Sequence, residues 1–267
     1  MLMAMITQVD LATHDPNVLN RVHATIKTLS GSLTHNESNN FVESACWADD
    51  IKKFGFEATS DWHFINIPYH QDNTSDSHKQ ERVGDVIWAL DQAYHTLTDR
   101  KRESAELETG LMLRYLIHLV SDIHQPLHVT TLYSKKFTHS DYGGNFFHIQ
   151  FDKKVENLHD LWDSVLGTME RDYSRPISDD NLSILMKDAK DLIDRFPRED
   201  MKEELRVTEF KEWAQESFKV AVDTVYEGIE LNKHPTDRYL ENGIQAAHRL
   251  MALAGYRLAD LLRQIYK

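Results

Sequence analysis

Only one of the 267 residues is a cysteine, Cys46, so an intrachain disulfide and a cysteine-built zinc finger are both excluded. Ten glycines and six prolines are too few for a β-sandwich or a disordered chain. No apolar run approaches the roughly 18 residues that a transmembrane helix needs. The opening stretch MLMAMITQVDLA has no basic start and too short an apolar run for a secretory signal, and it reads as a helix over about Leu2 to Ala12. Positive charge is scarce as well. Lys plus Arg number 30 against 43 Asp plus Glu, a net charge of −13, which excludes a basic protein that coats duplex nucleic acid. Any nucleic acid must therefore be met by local positive charge, such as that of a bound metal. What the chain does have is apolar residues, 41% of the total, enough for a real core, and fifteen histidines.

The pattern along the chain is mostly helical. Asp15-Pro16 is an N-cap and first-turn pair, and Leu19, Val22, Ile26 and Leu29 follow at helical spacing. A polar loop over 31–40 precedes a short helix from Phe41 to Phe54 that ends at Gly55, and residues 67–81 read as a second polar loop. Val83 to Leu97 and Glu103 to Val120 are longer amphipathic helices. After the Gly143-Gly144-Asn145 turn, Phe147, Ile149 and Phe151 alternate with polar residues, which predicts a short strand, half of a hairpin. Residues 174–200 read as a Pro-containing connection with a short helix, and two helices, 201–231 and 236–265, close the pattern. No repeat, low-complexity segment or linker divides the chain, so residues 1–267 are expected to form a single all-α domain with a small β-hairpin excursion.

His118 and Asp122 are four apart on a predicted helix, so both face the same way, and His159 and Asp163 repeat the spacing. Imidazole plus carboxylate is a common zinc pair. Spacing alone decides little in a chain this rich in acidic residues. The same spacing occurs at His95/Asp99, a helix end beside Arg100, Lys101 and Arg102, and at His148/Asp152, where an extended chain would hold the two groups about 13 Å apart. Context separates the first two pairs. His118-Leu-Val-Ser-Asp122-Ile-His124-Gln-Pro-Leu-His128 packs four candidate ligands into one segment, and Pro126 must end or kink the helix so that His128 turns toward a neighbouring site. Asn157-Leu-His159-Asp-Leu-Trp-Asp163 is a second compact cluster, and Trp47-Ala-Asp49 and Trp62-His63 each add a candidate. Asp49, Asp122 and Asp163 with four histidines are too many ligands for one tetrahedral zinc and about right for two or more. Two close metal ions are the usual machinery for breaking a phosphodiester. Trp47, Trp62, Trp88, Trp162 and Trp213 read as core, and His124 as a supporting residue rather than a ligand.

The segments WADDIK (47–52), WHFIN (62–66), HLVSDIHQPLH (118–128), GGN (143–145) and NLHDLWD (157–163) resemble the zinc-dependent, single-strand-specific class I nucleases, which share a fold with bacterial zinc phospholipase C. The wording is most similar to the protist 3′-nucleotidase/nuclease branch. The strong matches cover about residues 2–166, a weaker one lies in AGYRLADLL at 254–262, and 170–235 matches no motif. The resemblance implies that Asp49, His63, His118 and Asp122 hold one zinc and that His128, His159 and Asp163 hold a second, with Asp122 bridging toward a third. It implies catalytic roles for Asp49 and for Lys52, the basic residue that stabilises the transition-state phosphate. It implies a base pocket of Phe64 as stacking face, Asn66, Gly144 and Asn145. The family usually has Asp where Asn66 stands, and Asn both donates and accepts hydrogen bonds where Asp only accepts.

In that family a third zinc is held by an N-terminal Trp, through its amine and carbonyl, and by a His five residues on. Met1 aligns with the residue after that His, so two zinc ions are expected for the chain as given, with the third site empty or weakly filled. The function so implied is a zinc-dependent endonuclease acting on single-stranded DNA and RNA, with 3′-nucleotidase activity. The substrate is single-stranded nucleic acid or a nucleotide, no membrane span is expected, and no obligate protein partner can be inferred. The location implied is secreted or lumenal, with sequons at Asn36, Asn73 and Asn181 as glycosylation candidates, although no signal peptide is legible in these residues. Two alternatives stand beside this reading. One is a zinc phospholipase C-type phosphodiesterase, and the other a helical binding protein with catalysis impaired by the missing N-terminal ligands.

Overall fold

The computed structural model describes residues 1–29, 40–53, 55–72, 74, 84–99, 106–152, 155–168 and 173–267. The 31–40 loop bar Asn40, most of the polar loop past Asp72, the first residues of the predicted 83–97 and 103–120 helices, and the sequons at Asn36 and Asn73 lie outside the described residues.

Helices build the molecule. α1 (Leu2–His14) and α2 (Pro16–Lys27) meet at Asp15, followed by α3 (Phe41–Ser44) and α4 (Trp47–Lys53). A 3₁₀ turn (Ser60–His63) leads into strand β1 (Ile67–His70), and α5 (Val86–Thr98), α6 (Glu106–Asp122) and α7 (Pro126–Val129) precede strand β2 (Thr130–Tyr133). α8 (Leu158–Asp163), α9 (Asp179–Arg195), α10 (Lys202–Leu205), α11 (Phe210–Val220) and α12 (Asp237–Ile265) complete the order. The all-α expectation holds, but the β element is not a hairpin. β1 and β2 pair in parallel, from Ile67 opposite Thr130 to His70 opposite Tyr133, and the long crossover that parallel strands require is supplied by α5, α6 and α7.

The alternating stretch Phe147–Phe151 forms no strand. Phe147 and Ile149 are buried as their spacing predicts, but only an isolated antiparallel bridge joins His148 to Asn157. Two more backbone bonds of the segment go to a separate loop, with Gln150 N–H donating to Lys233 O and Asn232 N–H to His148 O. The predicted 41–54 helix is two helices with a turn at Ala45 and Cys46. The predicted 201–231 helix is broken after α10. There the β-branched pair Val207-Thr208 is a poor helix former, and the Arg257 guanidinium takes the Glu204 carbonyl. The helix expected to be short in 174–200 is the 17-residue α9. Ser178 Oγ caps it by accepting from Asn181 N–H, and it stops at Phe196, before Pro197. Asp15 holds the N-cap position of α2, but its carboxylate accepts no cap bond and instead receives Arg263 Nε at 2.5 Å.

Two apolar clusters follow. The larger collects α1, α2, α5, α6, α9, α11 and α12 around Ile6, Leu90, Leu116 and Leu258. α6 is central, with every residue from Leu113 to Val120 buried. α1 lies close against α12 because Gly255 offers no side chain: a Cβ there would stand 2.6 Å from Ile6 Cγ2. Trp47 and Trp213 are buried in this cluster, and Trp62 and Trp88 pack against it. The smaller cluster holds Leu127, Phe147, Leu158, Leu161, Trp162, Tyr226 and Tyr239, beneath α7 and α8.

Candidate metal centre

Two groups of three ligands form on the surface of these clusters. Asp49, His63 and His118 make one, and His128, His159 and Asp163 the other, with the ligand atoms of each group all within 4.8 Å of one another. Among the described residues no other such group forms, and neither the His95/Asp99 nor the His148/Asp152 pair belongs to one.

Asp49 comes from the first turn of α4, His63 from the end of the 3₁₀ turn, and His118 from α6, one turn before its last residue, Asp122. Asp49 straddles the two rings, with Oδ1 3.7 Å from His63 Nδ1 and Oδ2 3.6 Å from His118 Nε2. Aromatic packing fixes the elements behind them. Tyr115 meets Trp47 edge-on at 5.2 Å and Trp62 at 4.8 Å, and its hydroxyl shares a 2.9 Å hydrogen bond with Thr59. Lys52, one turn after Asp49, reaches Asp49 Oδ1 at 2.6 Å. The outer face of α4 is tied down by Arg175, whose Nη2 donates to Asp50 Oδ1 at 2.7 Å.

In the second group, Pro126 starts a new short helix, as its sequence position requires, and α7 carries His128 back over the first group. Gln125 caps α7 by accepting from Leu127 N–H, and its Nε2 donates to Asp163 Oδ1 at 2.7 Å. His159 and Asp163 face each other one turn apart on α8, Nε2 to Oδ2 at 3.4 Å, and His128 Nε2 lies 3.6 Å from Asp163 Oδ1. The His128 and His159 rings stack at 5.1 Å.

Asp122 stands between the groups. Its Oδ2 is 3.0 Å from both His63 Nδ1 and His118 Nε2, and its Oδ1 is 3.3 Å from His128 Nδ1. Burial alone would push this carboxyl up, but His118 and His128 hold it well below the usual carboxylate range. Burial would lower the His118 imidazole, yet Asp122 and Asp49 outweigh it and raise the ring to about 9. His128 is likewise raised against burial, by Asp122 and Asp163. Asp163 is lowered against burial, by His128 and His159.

The outer nitrogens complete the pattern. His118 Nδ1 lies 2.6 Å from Ala45 O and His159 Nδ1 2.7 Å from Gly143 O. A carbonyl only accepts, so both Nδ1 atoms carry hydrogen and both Nε2 atoms turn inward toward carboxylates. Histidines that ligate metals are oriented in this way. This donor set therefore fits divalent metal, and each ion bound would displace protons from the raised imidazoles.

Phe64 and Asn66, both half-buried, leave the 3₁₀ turn as extended chain, and the intervening Ile65 N–H donates to His128 O at 2.8 Å. Gly143 and Gly144 sit at φ +62° and +83°, and a Cβ on Gly144 would lie 3.2 Å from His159 N, so the turn packs directly on α8. Asn145 is exposed, and its Nδ2 donates to Tyr142 O at 2.8 Å. Both halves of the expected base pocket thus flank the second group. His124 is buried just past α6, its Nδ1–H on Val120 O and its Nε2 accepting from Arg257 at 2.9 Å. Burial and the Arg257 charge lower it to about 3, so it stays neutral. Sequence reasoning passed over Gln125, the fully buried Asp141, and the exposed rings of Tyr142 (59%) and Phe146 (54%), which meet at 4.8 Å around the GGN turn. Their signal was position: Gln125 lies inside HQPLH, and the other three flank GGN.

Comparison with known proteins agrees over the whole length. The family model for S1/P1 Nuclease matches residues 1–267. The chain is 28% identical over 236 residues to Endonuclease 2 of Arabidopsis thaliana, covering 84% of this chain and 78% of that protein. It is 26% identical over 237 residues to Endonuclease 1 of the same plant, covering 82% and 73%. It is 26% identical over 235 residues to Nuclease S1 of Aspergillus oryzae, covering 82% and 76%. With two ligand groups joined by one carboxylate on an all-α frame, the chain belongs to the S1/P1 nuclease family and is a phosphodiester hydrolase.

Proposed function

We propose that this nuclease is zinc-dependent, cuts single-stranded DNA and RNA internally, and also releases phosphate from 3′-nucleotides. The observation that carries the reading is the donor set around Asp122, with its inward Nε2 atoms and outward Nδ1–H groups on backbone carbonyls. In this reading Asp49, His63, His118 and Asp122 hold one ion, and His128, His159 and Asp163 hold the second. When bound, the two ions supply Lewis-acid polarisation of the phosphate and outweigh the negative charge of three carboxylates in a chain of net −13.

The remaining roles belong to the chain itself. Lys52, placed by helical spacing beside Asp49, offers its ammonium to the phosphate as charge builds in the transition state. Phe64 provides a stacking face, and Asn66 reads the base edge with both a donor and an acceptor. Gly144 permits close approach, and Asn145, with one N–H spent inside its turn, keeps Oδ1 as an acceptor. The exposed Tyr142 and Phe146 rings add apolar surface for unpaired bases. A duplex keeps its bases stacked and cannot use these faces without unpairing. The same reading carries a secreted or lumenal location. Among the described residues no helix is long and apolar enough to cross a membrane.

The test combines zinc content with turnover of matched single- and double-stranded oligonucleotides. About two zinc ions per chain, faster cleavage of the single strand, and a lower melting temperature on chelation are expected. Less than one zinc per chain, or faster cleavage of duplex, would overturn the reading. Turnover of phosphatidylcholine in place of nucleic acid would move it to a lipid phosphodiesterase.

A further inference from the structure

The segment between α11 and α12 supplies polar groups, Val225 O and Tyr226 OH, that stand behind the second ligand group. α11 does not end as an α-helix. Ala221–Val225 widens into a π turn, closed by Tyr226 N–H on Ala221 O at 3.0 Å. Such turns are rare and tend to occur at functional sites. Two hydrogen-bonded chains leave it. In the first, Tyr226 OH donates to Asp141 Oδ2 at 2.7 Å. The other oxygen of Asp141 accepts from Leu132 N–H at 2.8 Å, and the N–H groups of Gly143 and Gly144 also face this carboxylate. The turn so gathered presents Gly143 O to His159 Nδ1 at 2.7 Å. In the second, Val225 O, left open by the helix end, accepts from Tyr239 OH at 2.8 Å, and Tyr239 OH accepts from Trp162 Nε1 at 2.9 Å. Trp162 lies on α8 between His159 and Asp163.

Asp141 is the informative member. A fully buried carboxylate is costly unless its oxygens are filled, and the partners found for this one are backbone N–H groups and a phenol rather than a cation. Its four donors belong to β2, the GGN turn and the π turn, so it gathers three elements into one arrangement. The nearest polar group of the ligand set that this arrangement addresses is the outer nitrogen of His159, and the hydrogen bond on that atom selects which nitrogen faces the metal. We infer that the π turn at Ala221–Val225 positions the second metal ligand group through these two chains, with Asp141 and Tyr226 as positioning residues for His159. The inference rests on the metal-centre reading above.

The experiment uses the full-length, zinc-loaded protein and competition by a chromophoric zinc chelator, with Tyr226→Phe, Asp141→Asn and Tyr256→Phe. Tyr256 is a buried tyrosine of the large cluster whose hydroxyl donates to Phe196 O, so its variant reports the plain cost of losing a buried hydroxyl. Tyr226→Phe is expected to release one of the two zinc ions about 10-fold more readily, and Asp141→Asn about 100-fold, while the other ion keeps its wild-type affinity. Tyr256→Phe should leave both affinities unchanged. In the same samples the His159 Nδ1–H is expected to exchange slowly in the wild type and rapidly in Tyr226→Phe. Variants that lose thermal stability but keep both zinc affinities and a slow His159 Nδ1–H would make the chains merely structural and overturn the inference. Should Asp141→Asn fail to fold, Tyr226→Phe alone decides, because it removes a single oxygen. A wild-type protein that binds no zinc at His128, His159 and Asp163 overturns the metal-centre reading itself, an outcome distinct from zinc-bound variants that match the wild type.

Discussion

The Asp49, His63 and His118 group stands on elements of the large apolar cluster, with Trp47, Trp62 and Tyr115 packed behind it. The His128, His159 and Asp163 group stands on two short helices over the smaller cluster and is held by a hydrogen bond donated by Gln125 to Asp163, by one that His159 donates to Gly143 O and, more remotely, by the π turn. Its histidines are also more open: His63 and His118 are buried, whereas His128 and His159 are half-buried, while the carboxylates Asp49 and Asp163 are both exposed. Apolar packing fixes a site by shape and tolerates few changes in volume. Polar chains fix a site by satisfied donors and acceptors, so one missing partner is felt along the chain. Within one centre, then, one side is set by packing and the other by wiring, and Asp122 touches both.

The largest effect should come from breaking each side at its ligand. His118→Ala removes a ligand and the ring that pairs with Asp122, so it should abolish zinc at the first group and lower kcat by about 10³-fold or more, the scale of several kcal/mol of lost charge stabilisation. His159→Ala should remove only the second zinc and leave the first at its wild-type affinity. If each substitution strips both ions, the two sides are one cooperative unit and the comparison fails. Next in size is Lys52→Ala. It should keep both zinc ions and lower kcat by about 10²–10³-fold with little change in KM. Zinc loss in that variant would show that Lys52 serves to hold Asp49.

The smallest effect tests the corner shared by the two sides. His124 is held near 3 by burial and Arg257, whereas in the unfolded chain it titrates near its ordinary 6.5. Between those values the unfolded chain takes up a proton that the folded chain refuses, so stability is present above pH 6.5 and is lost as pH falls. The metal-free wild type should lose up to about 1.4 kcal/mol per pH unit more than His124→Gln across this window, because glutamine keeps an acceptor for Arg257 without titrating. Chemical denaturation at a series of pH values measures the difference, and parallel slopes would show that His124 is solvated or protonated in the fold.

The ligands of both groups are legible as candidates, because His118/Asp122 and His159/Asp163 share helical spacing, Asp49 and His63 lie beside Trp47 and Trp62, and Pro126 turns His128 aside, and those patterns are local. The β element was misplaced because alternation in Phe147–Phe151 reports burial but not which backbone will pair with it. β1 reads as loop in the sequence because Ile67–His70 contains Pro68 and its partner, Thr130–Tyr133, lies some sixty residues away. Asp141 was invisible for a related reason. A buried carboxylate satisfied by Leu132, Gly143, Gly144 and Tyr226 draws on distant parts of the chain, and no spacing rule announces it. Cap chemistry is misleading where a distant arginine claims the group, as at Asp15, whose carboxylate goes to Arg263, and at Glu204, whose carbonyl goes to Arg257.

The contact between α1 and α12 has a kinetic side. Thr7 Oγ1 donates to Gly255 O across 248 residues of sequence, in the place where a missing Cβ lets the two helices touch. Closing so long a loop costs little more in equilibrium than closing a shorter one, about 0.6 kcal/mol for each doubling. Contacts that distant nonetheless form late and slow the search. Every residue of the two ligand groups precedes Ser164, while α12 begins at Asp237. The growing chain therefore displays its whole chelating set before the clasp that seals the large cluster exists. Contact order predicts that this clasp, rather than the local helices, limits the folding rate, and that a side chain forced in at Gly255 unfastens the first and last long helices together.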